Sequence, residues 1–320
     1  MKTTCIVCGA HTAPWLQMPI DQKTLKHTDY GNVYKCTECG HGTVNPLPTP
    51  EKIAAFYDLE KYYTQGLSHF SELPPKLHDK VLTKLAWIFD NGVNFDEKLH
   101  SERLPPNSVI CEIGCGHAEK LLAFKANGHK VIGVDPDRKA AIVAKKNGIE
   151  VLIGTAENLP EHFDDNSIDM IIMSHSLEHC IDPILAIKNV RKALRPGGVF
   201  VCEVPNAEAT HFIWNNICSE MFDAPRHLHF FNPESLRKSI ELSELKVETL
   251  EYCGFTRHLS QNWRKVESDI HRNVKDIKQT QVPAKHTFFR SLLLWCATFI
   301  APPNKKYDSV RIISRKPLQV

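Results

Sequence analysis

The sequence predicts an α/β chain in which a doubly wound, mostly parallel sheet follows an N-terminal cysteine-paired module. Two observations carry that prediction. Between Asn107 and Cys202, near-continuous apolar runs alternate with helical segments, as strands of a parallel sheet covered on both faces do. Ahead of them stand two C-x-x-C pairs, Cys5/Cys8 and Cys36/Cys39. Composition agrees: 320 residues with 42% hydrophobic and 24% charged usage supply a globular core. A disordered chain, a collagen-like fibre and a small disulfide scaffold are excluded.

Each element follows in order. Residues 1–45 lack helical periodicity, and Asn45-Pro46-Leu47-Pro48-Thr49-Pro50 is a proline hinge that neither a helix nor a central strand continues through. From Glu51 to about Phe89 the pattern is helical, with Ile53, Phe56 and Tyr57 on one face. Asn91 to Asn107, containing Pro105-Pro106, reads as a linker. Val109-Ile110-Cys111 opens the sheet, and Leu121 to Asn127 is a helix stopped by Gly128. Val131 to Val134 is the next strand, and Arg138 to Asn147 the next helix, stopped by Gly148. Val151-Leu152-Ile153 and Ile168 to Met173 continue the series. Pro183 to Leu194 is helical, Gly197-Gly198 turns the chain, and Val199 to Cys202 is a fifth strand. Ser309 to Ser314 reads as a final strand closing the sheet. The expected domains are 1–45, a helical connector or lid at 46–106, and 107–320 with insertions at 207–224 and 256–304.

Net charge is +2, so nothing global points to nucleic acid. The charge is uneven: residues 256–320 carry 13 Lys/Arg against 4 Asp/Glu. The N-terminus has no apolar signal region, and the longest apolar stretch, Leu292 to Ala301, is about half a bilayer span. Eleven cysteines, an odd number spread through apolar segments, suit a reducing compartment, so a cytoplasmic location is expected.

The knuckles read Cys5-Ile6-Val7-Cys8-Gly9 and Cys36-Thr37-Glu38-Cys39-Gly40. Two intervening residues let both sulfurs of a pair reach one ion, and the following glycine permits the tight turn. Four thiolates around a tetrahedral Zn²⁺ leave no open position, which makes the expected site structural. His11 or His41 is an alternative ligand to one of the cysteines.

After the first strand comes Glu112-Ile113-Gly114-Cys115-Gly116-His117, where two glycines at a strand-to-helix turn let a ligand lie against bare backbone. The next strand ends in Val134-Asp135, a carboxylate at the distance that suits ribose hydroxyls. The run EIGCG, GVD, GTAENLP, LEH, LRPGG and VPN resembles class I S-adenosylmethionine-dependent methyltransferases over about residues 107–255. The resemblance implies a Rossmann-like, seven-stranded domain. It implies that Glu112, Gly114, Cys115 and Gly116 flank the methionine part of S-adenosylmethionine, and that Asp135 and Pro136 lie at the ribose. Thr155, Ala156 and Glu157 then lie beside the adenine, and Ser174 and His175 pass the cofactor.

The flanks, CxECGHGTVNPLPTPEKIAAFYD, a KYY and RHLHFFNPESL, resemble the zinc-ribbon methyltransferases that modify sugars and glycans. Sugar C-methyltransferases share a His that falls on His227, but their neighbouring Glu is Arg226 here, which favours oxygen methylation. A hydroxyl acceptor must lose its proton, and a histidine with a near-neutral pKa suits that task. His227 is the expected base, with His229 and His179 as further catalytic candidates. His175, Glu178 and His179, read as one helical face, are an alternative divalent-metal set completed by His227 or His229. The tail from 285 to 306, with Phe288, Leu292 and Trp295 among basic residues, is expected either to pack as a core helix or to touch an anionic membrane. The expected acceptor is a sugar, nucleotide-linked sugar, lipid-linked glycan or related small polar metabolite. An RNA-base methyltransferase with the ribbon as clamp, a sugar C-methyltransferase and a non-enzymatic scaffold are the alternatives.

Overall fold

The computed structural model describes residues 4–57, 77–255, 261–275, 277 and 287–318. The Lys61-Tyr62-Tyr63 motif and the start of the basic tail at 285–286 lie outside them.

Strands β1 (Thr12–Gln17), β2 (Asn32–Cys36) and β3 (Gly42–Val44) form an antiparallel ribbon. The hinge leads into α1 (Pro50–Tyr57), and α2 (Leu77–Ile88) and α3 (Glu97–Glu102) precede the large sheet. That sheet is built from β4 (Val109–Ile113), β5 (Lys130–Asp135), β6 (Glu150–Ile153), β7 (Ile168–Ser174) and β8 (Leu194–Pro205). Helices α4 (Glu119–Ala126), α5 (Arg138–Lys146) and α6 (Pro183–Ala193) connect them. After β8 come α7 (Thr210–Asn215), β9 (His229–Phe230), α8 (Pro233–Leu242), β10 (Lys246–Cys253), α9 (Gln261–Val274), α10 (Phe288–Phe299), α11 (Pro303–Lys306) and β11 (Ser309–Arg315).

The seven strands run β10-β11-β8-β7-β4-β5-β6, with β11 antiparallel to both neighbours and the rest of the sheet from β8 to β6 parallel. The expected doubly wound, mostly parallel sheet is present. Successive residues of β7 explain its apolar sequence: Met170 and Ile172 enter the layer with Leu121 and Phe124, while Ile171 and Met173 enter the layer with Ile187, Leu236 and Ile240. Both faces are covered along Met170–Met173, so those four positions favour apolar residues, and the polar Asp169 and Ser174 stand towards the strand's ends. The chain leaves β4 towards β5 and β6, then returns to the other side of β4 as β7. The crevice beyond the carboxyl ends of β4 and β7 is therefore the topological switch point, where open α/β sheets bind ligands.

Three expectations need correction. Residues 91–107 are not a linker: α3 lies there, capped by Asp96 accepting from the Leu99 amide at 2.9 Å. The segment is also tied to the sheet, by Val93 donating to Tyr252 O at 2.9 Å. Second, β11 does not close the sheet at its edge; it lies between β8 and the outer strand β10. Third, the 1–45 boundary is crossed by β9, which pairs with β3 as the fourth strand of the ribbon sheet. A separate core binds these parts, with Met18, Val33 and Val44 of the ribbon against Phe212, Phe222 and Phe230. The 207–224 insertion thus lies under the ribbon.

In α10, Ser291, Leu294 and Thr298 face inward, whereas Phe289 is 66% exposed and Ile300, just past the helix end, 84%. The helix is partly a packing element with an apolar outer face. Among the described residues, no helix is long and apolar enough to cross a membrane.

Candidate active site

The cysteine knuckles converge. Cys5 Sγ lies 3.6 Å from Cys39 Sγ, and Cys8 Sγ lies 3.4 Å from Cys36 Sγ. Four sulfurs at about 2.3 Å from a tetrahedral Zn²⁺ stand about 3.8 Å apart, so this cluster fits the ion with little adjustment. Gly9 and Gly40 hold the positive φ of +73° and +68° that the knuckle turns require. The Glu38 amide donates to Cys36 Sγ at 3.4 Å, as amides around thiolate ligands do. His11 is exposed at the ribbon surface, and His41 is turned towards His229; neither joins the cluster.

At the switch point, the Gly114–His117 loop links β4 to α4. Gly114 has φ +73°, and a Cβ there would stand 2.5 Å from Ser176 Cβ, so only glycine lets the two loops close together. Ser176 donates to Ile113 O at 2.9 Å and fixes that closure. Glu112, Gly114, Cys115, Gly116, Ser174 and His175 line one cleft of about 200 Å³, joined by Lys120. Of the expected cofactor residues, these six come together there. Glu112 is only 4% exposed and its Oε2 has no hydrogen-bond partner. Burial pushes its pKa up to about 7, with Lys120 at 4.0 Å opposing the shift.

Asp135 lies behind this wall. Its Oδ2 accepts from the Gly116 amide and its Oδ1 from the Asp137 amide, both at 2.8 Å. The carboxylate therefore shapes the glycine loop from β5, and Pro136 stands exposed beyond it. The segment after β6 is braced by α6: Asn189 Nδ2 donates to the carbonyls of Ala156 and Glu157 at 3.2 and 2.7 Å. The Thr155 amide donates to Asn158 Oδ1 at 2.7 Å. Glu157 accepts from the Ile181 amide at 2.7 Å, so it ties the loop after β7 to the loop after β6.

The histidine-rich segments meet beside the cleft. His175, Glu178 and His179 do not share a helical face: His175 has φ +53° and the short turn Leu177–His179 is a 3₁₀ turn. The His175 ring instead lies between Glu203 Oε1 at 3.1 Å and Glu178 Oε1 at 3.6 Å. Burial opposes its charge, but the two carboxylates outweigh it and lift the pKa to about 9. Arg311 holds Glu203 from the other side at 2.6 Å.

Glu178 is completely buried, and neither of its oxygens accepts a hydrogen bond. Its neighbours are His179 and His227, which form with it a cluster whose ligand-type atoms lie within 4.8 Å of one another. His227 Nδ1 donates to Met221 O at 2.9 Å, leaving Nε2 to face Glu178 at 3.9 Å. His179 Nδ1 lies 3.0 Å from Arg226 O and 2.9 Å from the Tyr57 hydroxyl. The carbonyl can only accept, so this nitrogen carries the proton and Nε2 keeps its lone pair. The near-neutral pKa expected for His227 is not what its surroundings give. Burial, together with the adjacent His179, lowers it to about 4.

His229 does not join this group. It stacks on His41, with Nδ1 3.1 Å from His41 Nε2 and Nε2 3.3 Å from Ile181 O. With both nitrogens engaged it ties the ribbon sheet to the loop after β7, and it stands outside the possible metal cluster of Glu178, His179 and His227. Arg226 is equally structural. Its buried guanidinium binds Asp21 at 2.9 Å, Asp223 at 3.3 Å and Phe56 O at 3.2 Å, clasping ribbon, insertion and α1 together. Sequence reasoning missed Tyr57, Ser176, Glu203 and Arg311, whose roles arise only from contacts distant in the chain.

Residues 91–250, half of the chain, match the family described as Methyltransferase domain. The chain is 33% identical over 103 residues to a demethylmenaquinone methyltransferase of Staphylococcus saprophyticus, covering 30% of this chain and 43% of that one. A demethylmenaquinone methyltransferase of Staphylococcus carnosus is 30% identical over 145 residues, covering 40% and 59%. The chain thus spans only part of these relatives. Among solved structures, a Haloferax volcanii methyltransferase complexed with the Trm112 methyltransferase activator aligns at 16% identity and TM-score 0.48, covering 75% of this chain and 94% of that one. A Thermotoga maritima S-adenosylmethionine-dependent methyltransferase aligns at 22% identity and TM-score 0.45, covering 75% and 93%.

Proposed function

The chain belongs to the methyltransferase-domain family, and from that premise we propose that it methylates a hydroxyl oxygen using S-adenosylmethionine. The acceptor in this reading is a sugar, a nucleotide- or lipid-linked glycan, or a related small polar metabolite. One observation carries it: a glycine-walled cleft with a buried carboxylate, one oxygen of which has no hydrogen-bond partner, adjoins the Glu178–His179–His227 cluster through His175, which touches both. The orphaned Glu112 oxygen fits a cationic amino group, and the bare backbone at Gly114 and Gly116 fits a flat ligand. S-adenosylmethionine supplies, when bound, a methyl group on a sulfonium with a good leaving group.

The protein's work is then placement. Glu112 holds the charged end of the donor, Asp135 fixes the loop it lies on, and Ser174 and His175 form the facing wall. The trio is the acceptor side, with two imidazoles oriented by backbone carbonyls, each keeping an Nε2 lone pair, and one carboxylate. The same reading gives the four cysteines one structural Zn²⁺. The demethylmenaquinone acceptor of the named relatives is not carried over, because each match spans only part of either chain.

Methyl transfer from isotopically labelled S-adenosylmethionine to a panel of nucleotide sugars and polyprenyl-linked sugars tests the proposal. The expected product carries an O-methyl signal by NMR. His227→Ala should lower turnover by about 10²–10⁴-fold while donor affinity barely changes. A C-methyl product, or label transferred to RNA alone, would replace the acceptor reading. Absence of donor binding in calorimetry would favour the scaffold.

A further inference from the structure

Among the described residues, Glu178 is a fully buried carboxylate with neither oxygen hydrogen-bonded. Isolated buried charge is costly, and nature retains it where a counter-charge is supplied. His175 supplies part of it at 3.6 Å, yet that imidazole also serves Glu203 at the shorter distance of 3.1 Å. His179 and His227 belong to the same cluster, and each keeps the lone pair of Nε2, because each Nδ1–H is donated to a main-chain carbonyl. Two imidazoles fixed by their far nitrogens around one carboxylate are what a bound metal requires of its outer partners. A neutral ring is also the form in which histidine ligates.

We propose that Glu178, His179 and His227 hold a divalent transition-metal ion. The donor set is two imidazole nitrogens and one carboxylate oxygen, which suits Zn²⁺, Co²⁺ or Fe²⁺ and leaves coordination positions open. Ligand atoms at about 2.0–2.2 Å from an ion span up to about 4.3 Å, and the 3.9 Å from His227 Nε2 to Glu178 Oε1 falls inside that span. The two segments are already tied, by the Leu228 amide donating to Glu178 O at 2.9 Å, so little rearrangement is needed. The metal site thus keeps Glu178 and His179 of the set expected from sequence and takes His227 in place of His175. Its role, though not its existence, rests on the acceptor reading above: an ion here would bind the hydroxyl oxygen and lower its pKa.

The test uses the full chain, dialysed against a chelator mild enough to leave one zinc per chain in the ribbon, then titrated with Co²⁺. Calorimetry should give one further Co²⁺ per chain, with weak visible bands and no thiolate charge-transfer absorption. Glu178→Gln and His227→Ala should weaken that binding about 100-fold or more. The wild type alone provides a second measurement. Two solvent-exchangeable imidazole N–H resonances, those bonded to Met221 O and Arg226 O, should appear hyperfine-shifted in the Co²⁺ NMR spectrum. No uptake beyond the ribbon, uptake unchanged in both variants, or a spectrum without the two shifted protons would overturn the site. Donor binding without Co²⁺ uptake sinks this inference alone; Co²⁺ uptake without donor binding sinks the methyltransferase reading and leaves the metal site standing.

Discussion

The cysteine knuckles and the Glu178–His179–His227 trio are both clusters of ligand-type side chains, built on opposite plans. Each knuckle is local: two sulfurs from one turn, brought to a second such turn by a short hairpin sheet. The trio joins the loop after β7 to the segment before β9, and its geometry depends on carbonyls from Met221 and Arg226. The first can close around an ion and contribute stability. The second holds a buried charge in place, which costs stability, and in the proposed reading that charge serves the chemistry. Local motifs thus anchor this molecule, and long-range contacts build the candidate site.

The comparison breaks most visibly at the knuckles. Cys36→Ser with Cys39→Ser should abolish zinc binding and unfold the ribbon, since structural zinc contributes about 10–16 kcal/mol in small domains. Metal analysis and circular dichroism check it; full retention of zinc would sink the assignment. Next comes Arg226→Met, which takes the guanidinium from the buried Asp21 and leaves Asp223 with Lys23 at 4.0 Å. Urea unfolding should show a loss of about 3–5 kcal/mol, the usual scale for half of a buried ion pair removed. A loss below about 1 kcal/mol would mean the clasp is incidental.

Smaller effects sharpen the donor side. Asp135→Ala should weaken S-adenosylmethionine binding by about 1.5–3 kcal/mol, because the Gly116 amide loses its charged acceptor. Unchanged affinity by calorimetry would detach Asp135 from the site. Glu112 predicts a pH dependence. Its carboxyl is neutral below about 7 and ionised above, so donor affinity should rise as pH increases through about 7. Glu112→Gln should flatten that rise; a rise that persists in the variant would assign it elsewhere. The same shift makes the unliganded protein lose stability as pH climbs to about 7, since the folded state holds a proton that the unfolded chain has released. The smallest effect concerns α10. If the exposed Phe289 and Ile300 meet lipid, the protein co-sediments with anionic liposomes at low salt and is released by higher salt. Failure to co-sediment at low salt would leave α10 a packing helix.

Much of this was legible in the chain. Apolar strand runs and stopping glycines located β4 to β8, and the glycine loop located the cleft. What stayed hidden shares a physical cause. Strand β10, Lys246–Cys253, is an outer strand whose residues before Cys253 are exposed or half-exposed and mix charged with apolar side chains, so a search for continuous apolar runs passes over it. Strand β9 has two residues and exists only because β3 is beside it. At the site, spacing suggested His175, Glu178 and His179 together, but positive φ at His175 turns its ring towards Glu203. Only the family resemblance favoured His227 over His229 in the sequence; their spacing and residue type did not. The tertiary partners, Met221 O for one and His41 for the other, separate them.

The pairing of β3 with β9 has a practical consequence for anyone shortening this chain. A truncation that begins at the matched methyltransferase region removes the hydrogen-bonding neighbour of His229–Phe230, strips His41 from the His229 ring and leaves the Arg226 guanidinium without Asp21. The same segment carries His227, so the damage reaches the proposed acceptor side within two residues. Sequence boundaries here are not boundaries of cooperativity. If the ribbon holds zinc and the trio faces the acceptor as proposed, metal occupancy in the ribbon should be readable at His227 as a change in local order, because β3, His41 and Asp21 brace the segment that carries it.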